Sequence, residues 1–140
     1  MDALYTAVAT ATGNGRNGEA RTNDGQLVVD LALPKELGGA GGATNPEQLF
    51  AVGYAACFHS ALKMVANRSK VTIGETAVTA EVSLNPVNGG AFELGVVLRV
   101  EIGGVDQEAA DKLIEQAHQV CPYSNATRGN INVKVAATIG

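Results

Sequence analysis

The chain has no tryptophan, only three tyrosines and three phenylalanines, and two cysteines in 140 residues. Two cysteines cannot staple a disulfide scaffold, so a small secreted disulfide fold is excluded. Charge is also sparse. Ten Lys and Arg against fourteen Asp and Glu leave a net charge of −4. That balance gives no electrostatic footprint for nucleic acid or an anionic membrane surface. The longest apolar run, Leu49 to Phe58, is ten residues, about half of what a membrane span needs. The N-terminus, MDALYTAVATATGNGRNGEAR, lacks a basic stretch leading into an apolar core, so it does not read as a signal peptide. No linker, repeat or low-complexity tract interrupts the chain. The expectation is a single cytoplasmic domain spanning residues 1–140. What is present fits that: 46% of residues are hydrophobic, which excludes intrinsic disorder. Seventeen glycines predict tight turns and close backbone approaches.

The local patterns predict an α+β fold in the order β-β-β-α-β-β-α-β. Strands are expected over 4–12, 19–22 and 26–33, with turns at 13–18 and 23–25. Asn45-Pro46-Glu47-Gln48 is a helix start, with Asn45 as N-cap and Pro46 at the first helical position. This helix should reach about Arg68 and is apolar almost all round to Phe58, so it is buried on more than one side. Strands follow over 76–84 and 92–102. Asp106 caps a second helix to about Val120, which Pro122 ends or bends, and residues 131–139 alternate as a last strand.

The two cysteines are the first candidates for chemistry. At about 100° per residue, Phe50, Gly53, Tyr54, Cys57, Ala61 and Met64 share one helix face, with Phe58 at its edge. That face is either ordinary core or an apolar pocket with a thiol at its base. Cys121, beside Pro122 and Tyr123, is either a buried helix-terminal cysteine or a partner for Cys57. Zinc is disfavoured: Cys57 and His59 point to opposite sides of a helix, and His118 with Cys121 supplies only two ligands. A reactive thiolate needs a cation or donors nearby. Among the arginines, Arg16 stands out because glycines flank its turn. Glu47 lies ten residues before Cys57, about 15 Å along a helix axis.

Three stretches resemble the organic hydroperoxide resistance proteins, the peroxidase branch of the osmotically inducible protein C superfamily. They are Asn45 to Phe58 (NPEQLFAVGYAACF), Glu36 to Gly42 (ELGGAGG) and Cys121 to Ala126 (CPYSNA). The resemblance implies an intertwined homodimer with antiparallel sheets around central helices. It implies a cysteine-based peroxidase for alkyl and fatty-acid hydroperoxides, without haem, metal or other cofactor. Cys57 matches the peroxidatic cysteine and Cys121 the resolving one; Arg16 and Glu47 match the catalytic ion pair. The implied reductant is a lipoyl dithiol, free or on a lipoylated protein. Within that reading Cys57 becomes a sulfenic acid, and Cys121 condenses with it to a disulfide. Phe50, Tyr54, Phe58, Met64 and Tyr123 would make an apolar collar for a greasy substrate. If Arg16 and Glu47 act on a thiolate, the ~15 Å separation calls for a thiolate from another subunit or a sharp bend in the first helix. The competing reading is a thiol redox sensor using the same cysteine pair.

Overall fold

Asn45 and Asp106 start the two long helices through their side chains. In the computed structural model, which describes residues 2–140, Asn45 Oδ1 accepts from the Gln48 amide at 2.9 Å and Asp106 Oδ1 from the Ala109 amide at 2.8 Å. These bonds satisfy amides that the first helical turn leaves without partners. The helices they open are α1, Pro46–Arg68, and α2, Gln107–Val120.

The chain divides into two compact units, one up to Leu49 and one from Phe50 to Gly140. The first holds a three-stranded antiparallel sheet, β1 (Ala9–Thr12), β2 (Glu19–Thr22) and β3 (Val28–Asp30), in that order. Its outer strands are shorter than their composition suggests. Residues 4–8 have no pairing strand, and Leu4, Tyr5 and Val8 are exposed.

The second unit holds a sheet in the order β4 (Thr76–Pro86), β5 (Phe92–Ile102) and β6 (Val133–Ile139). β4 and β5 form an antiparallel hairpin, but β6 runs parallel to β5. The expected antiparallel pairing holds for β1–β3 and for the β4–β5 hairpin, and β6 adds a parallel edge. The chain leaves β5, crosses through α2 and returns in the same direction, as a parallel pair requires. The crossover also contains a short helix, α3, Pro122–Thr127. Pro122 both ends α2 and occupies the first position of α3, where its missing N–H costs nothing.

The core explains these elements. Val96, Leu98, Val100 and Ile102 alternate along β5 and point to one face. Against them pack Tyr54, Phe58, Leu62 and Val65 of α1, and Ala110, Leu113, Ile114 and Ala117 of α2. By length and composition α1 could cross a membrane. Its buried stripe, however, is part of this core, as in the central helix of a globular protein. Among the described residues, every buried apolar side chain lies between Tyr54 and Cys121. The first unit contributes none.

Candidate active site

Cys57 and Cys121 meet. Cys121 Sγ lies 3.4 Å from Cys57 Sγ, and both are free thiols. Cys57 sits in the middle of α1, whereas Cys121 is the corner residue between α2 and α3. Cys121 is wholly buried and Cys57 partly so. Burial pushes the Cys57 thiol above its ordinary range. The Tyr123 backbone N–H donates to its sulfur and pulls the other way, while the Cys121 thiol adds a smaller upward push. These donors are neutral, so a cation has to come from elsewhere if Cys57 is to be a thiolate near neutral pH.

A tight aromatic group stands beside the thiols. Phe50, Tyr54 and Tyr123 have ring centroids 5.5–6.0 Å apart, the spacing of favourable tilted and edge contacts. Phe50 also lines a groove with Phe92, Leu94 and Ile131. The other expected collar residues lie differently. Tyr54 and Phe58 have no exposed surface and belong to the core, so they back the site rather than line it. Met64, two turns beyond Cys57, is exposed. The sequence face merged two sides of α1, because helical spacing alone does not say where the protein's own core begins.

Arg16 and Glu47 also meet, within the first unit. Arg16 Nη1 donates to Glu47 Oε1 at 2.6 Å and Nη2 to Oε2 at 3.1 Å. This two-pronged geometry is the strong form of an ion pair, and it holds the guanidinium protonated more firmly than usual. Arg16 lies in a 3-10 turn, Gly15–Asn17. The turn closes because Gly18 has no side chain: a Cβ there would stand 2.3 Å from the Thr12 carbonyl oxygen. Asn17 Oδ1 then accepts from the Leu33 amide at 3.0 Å. Glu47 is in the first turn of α1, where the helix dipole favours a carboxylate.

Residues 39–136 match the family described as OsmC-like protein. The chain is 54% identical to the organic hydroperoxide resistance protein of Xanthomonas axonopodis pv. citri, over 93% of this chain and 92% of that one. The chain belongs to the OsmC-like family, among its organic hydroperoxide resistance proteins. Two solved relatives share the fold. One, from Legionella pneumophila, is 55% identical with a TM-score of 0.95, over 98% of this chain and 99% of that one. The other, OhrB of Bacillus subtilis, is 44% identical with a TM-score of 0.87, over 97% and 100%. An OsmC-like chain of this branch thus carries a close thiol pair in one unit and a two-pronged ion pair in the other.

Several polar groups at this OsmC-like site escape a reading by motif. Ser124 and Thr127 are buried and hydrogen-bonded to the Tyr54 hydroxyl. His118, weighed above only as a metal ligand, contacts Ser124 through Nδ1 at 2.7 Å. His59 faces away and bonds Thr76 Oγ1 at 2.6 Å. The available signal was Pro122: as a first-turn proline it marks a helix start, which places Ser124 and Thr127 on one short face.

Proposed function

We propose that this chain is a thiol-dependent peroxidase that reduces organic hydroperoxides to alcohols. The observation that carries the reading is the 3.4 Å approach of Cys57 and Cys121 from helical elements 64 residues apart. The Cys57 thiolate attacks the outer peroxide oxygen. An S–O bond forms, the O–O bond breaks, and the alkoxide leaves and takes a proton. Cys57 is now a sulfenic acid, oxidised by two electrons. Cys121 sulfur then attacks Cys57 sulfur, and hydroxide departs with the Cys121 proton as water. A dithiol of the lipoyl type restores both thiols by exchange.

Arg16, held by Glu47, supplies the missing cation, stabilising the thiolate and the leaving alkoxide. Ten residues of unbroken α1 separate Glu47 from Cys57, about 15 Å of rise. In our reading the ion pair therefore serves the thiols of a second copy, in a homodimer of one-domain chains. The unburied apolar residues of the first unit support a partner: Leu4, Tyr5, Val28 and Leu37 are all exposed. Phe50 and Tyr123 line the approach for an alkyl chain, with Tyr54 and Phe58 behind them, and Met64 lies farther along α1. A reducing cytoplasm suits two free thiols at this distance.

The test is turnover of an alkyl hydroperoxide with dihydrolipoamide. Wild type should turn over steadily, Cys57→Ser should not, and Cys121→Ser should stall after one oxidation. Wild-type consumption no faster than Cys57→Ser would refute the peroxidase. A single oxidation in wild type without turnover would point to a redox sensor instead.

A further inference from the structure

A buried chain of hydroxyls ties together the three helices that carry the thiols. Ser124 Oγ lies 2.9 Å from Tyr54 Oη and 2.7 Å from His118 Nδ1, and Tyr54 Oη lies 3.1 Å from Thr127 Oγ1. Thr127 Oγ1 lies 3.3 Å from the Ser124 carbonyl oxygen.

A hydroxyl has one hydrogen to give, so the chain runs in one of two directions. Either His118 Nδ1 donates to Ser124, Ser124 to Tyr54, Tyr54 to Thr127 and Thr127 to the Ser124 carbonyl, or Thr127 donates to Tyr54, Tyr54 to Ser124 and Ser124 to His118 Nδ1. In both, every hydroxyl is engaged. Burial, and next the charge of Arg128, depress the His118 pKa, which favours the neutral imidazole that both directions allow. Arg128 further ties the corner by donating to the His118 carbonyl oxygen at 2.7 Å.

The location gives the chain its use. Tyr54 is three residues before Cys57 on α1, and Ser124 three after Cys121. His118 is on the last turn of α2. Tyr123, whose backbone N–H reaches Cys57 sulfur, directly precedes Ser124. We infer that Ser124 and Thr127 are positioning residues for the resolving step: their hydrogen-bond chain holds Cys121 against Cys57. The inference rests on the peroxidase reading above.

The chemistry at stake is a competition. The Cys57 sulfenic acid either loses water to Cys121 and becomes a disulfide, or meets a second hydroperoxide. In the second case another oxygen is transferred, the hydroperoxide leaves as alcohol, and Cys57 ends as an irreversible sulfinic acid. A loosened Cys121 slows the first route and leaves the second untouched.

The experiment oxidises Ser124→Ala and Thr127→Val proteins with graded cumene hydroperoxide, without reductant. Mass spectrometry then reads the ratio of Cys57 sulfinic acid to disulfide. The ratio should rise about two- to tenfold in each variant, the range that one lost hydrogen bond spans. The rate of the first thiol oxidation should stay at the wild-type value. Because both residues act in one chain, the double variant should match the worse single variant rather than multiply the two effects. Thr127→Val keeps the side-chain shape and guards against a Ser124→Ala protein that does not fold. A wild-type ratio in a folded Thr127→Val protein, or multiplied effects in the double variant, overturns the inference. If wild type forms neither product, the peroxidase reading fails instead.

Discussion

Replacing Gly53 by alanine sets two effects of known size against each other. Glycine inside a helix costs about 0.5–1 kcal/mol relative to alanine, so Gly53→Ala in mid-α1 would ordinarily stabilise the protein. Here a Cβ at position 53 would lie 2.5 Å from Tyr123 Oη, 3.0 Å from Cζ and 3.2 Å from Cε2. The hydroxyl end of the ring would have to retreat by nearly 1 Å to reach ordinary contact. Phe50 and Tyr54 stand on its other sides, with centroids 5.6 and 5.5 Å away. Forced overpacking of this kind costs about 1–3 kcal/mol. The net expectation is a loss of about 1 kcal/mol, the opposite sign from helix propensity alone. The assay is urea unfolding followed by circular dichroism, under reducing conditions and at one fixed protein concentration, since association shifts the midpoint. Tyr123→Phe removes the nearest atom of the clash. Among the described residues the Tyr123 hydroxyl has no protein hydrogen bond, so this change alone should cost little. In the Gly53→Ala background it should recover about 0.5 kcal/mol or more. A Gly53→Ala protein stabilised by the full helix increment, with no coupling to Tyr123→Phe, would refute the reasoning.

Three other outcomes can be checked. If the ion pair of one chain serves the thiols of a partner, mixing Arg16→Gln and Cys57→Ser chains, each expected to be inactive alone, should restore about a quarter of wild-type turnover: random pairing makes half the dimers mixed, each with one intact site of two. No restored turnover after refolding the chains together would place both residues of each site in one chain. Lys70 has a left-handed φ of 57° just past the end of α1, so Lys70→Gly should stabilise by about 0.5–1 kcal/mol in thermal unfolding; an unchanged or lower Tm contradicts this. His118 has a folded-state pKa below the ordinary 6.5. The unfolded chain therefore takes up its proton first, and stability should fall as pH drops through 6.5 toward the folded value. His118→Asn should flatten that part of the pH profile, and an equally steep profile in the variant would rule out His118 as its source.

The parts of the fold that were legible in the sequence are those decided within a few residues. Asn45 and Pro46 begin α1 because an N-cap oxygen and a donorless first position act locally. The alternation of Val96, Leu98, Val100 and Ile102 marks β5 for the same reason. The direction of β6 was not legible, since a parallel partner is chosen by the crossover and not by alternation. The α3 helix was obscured because Pro122 reads equally as a stop and as a start. At the site, spacing drew attention to Cys57 and its aromatic neighbours. The pairings with Cys121 and of Arg16 with Glu47 came from resemblance, because residues 64 and 31 apart leave no periodic trace. The hydroxyl chain was invisible for a further reason: Ser, Thr and Tyr announce nothing until their oxygens converge.

Among the described residues, no apolar side chain before Tyr54 is buried, and this has a consequence for local stability. A three-stranded sheet holds together only when one face is covered, and within the single chain the β1–β3 sheet has no buried apolar face. Segments with few buried apolar contacts open at the low end of the free-energy scale. The amides of β1–β3 should therefore exchange with solvent sooner than those of β5, where Val96, Leu98, Val100 and Ile102 are buried.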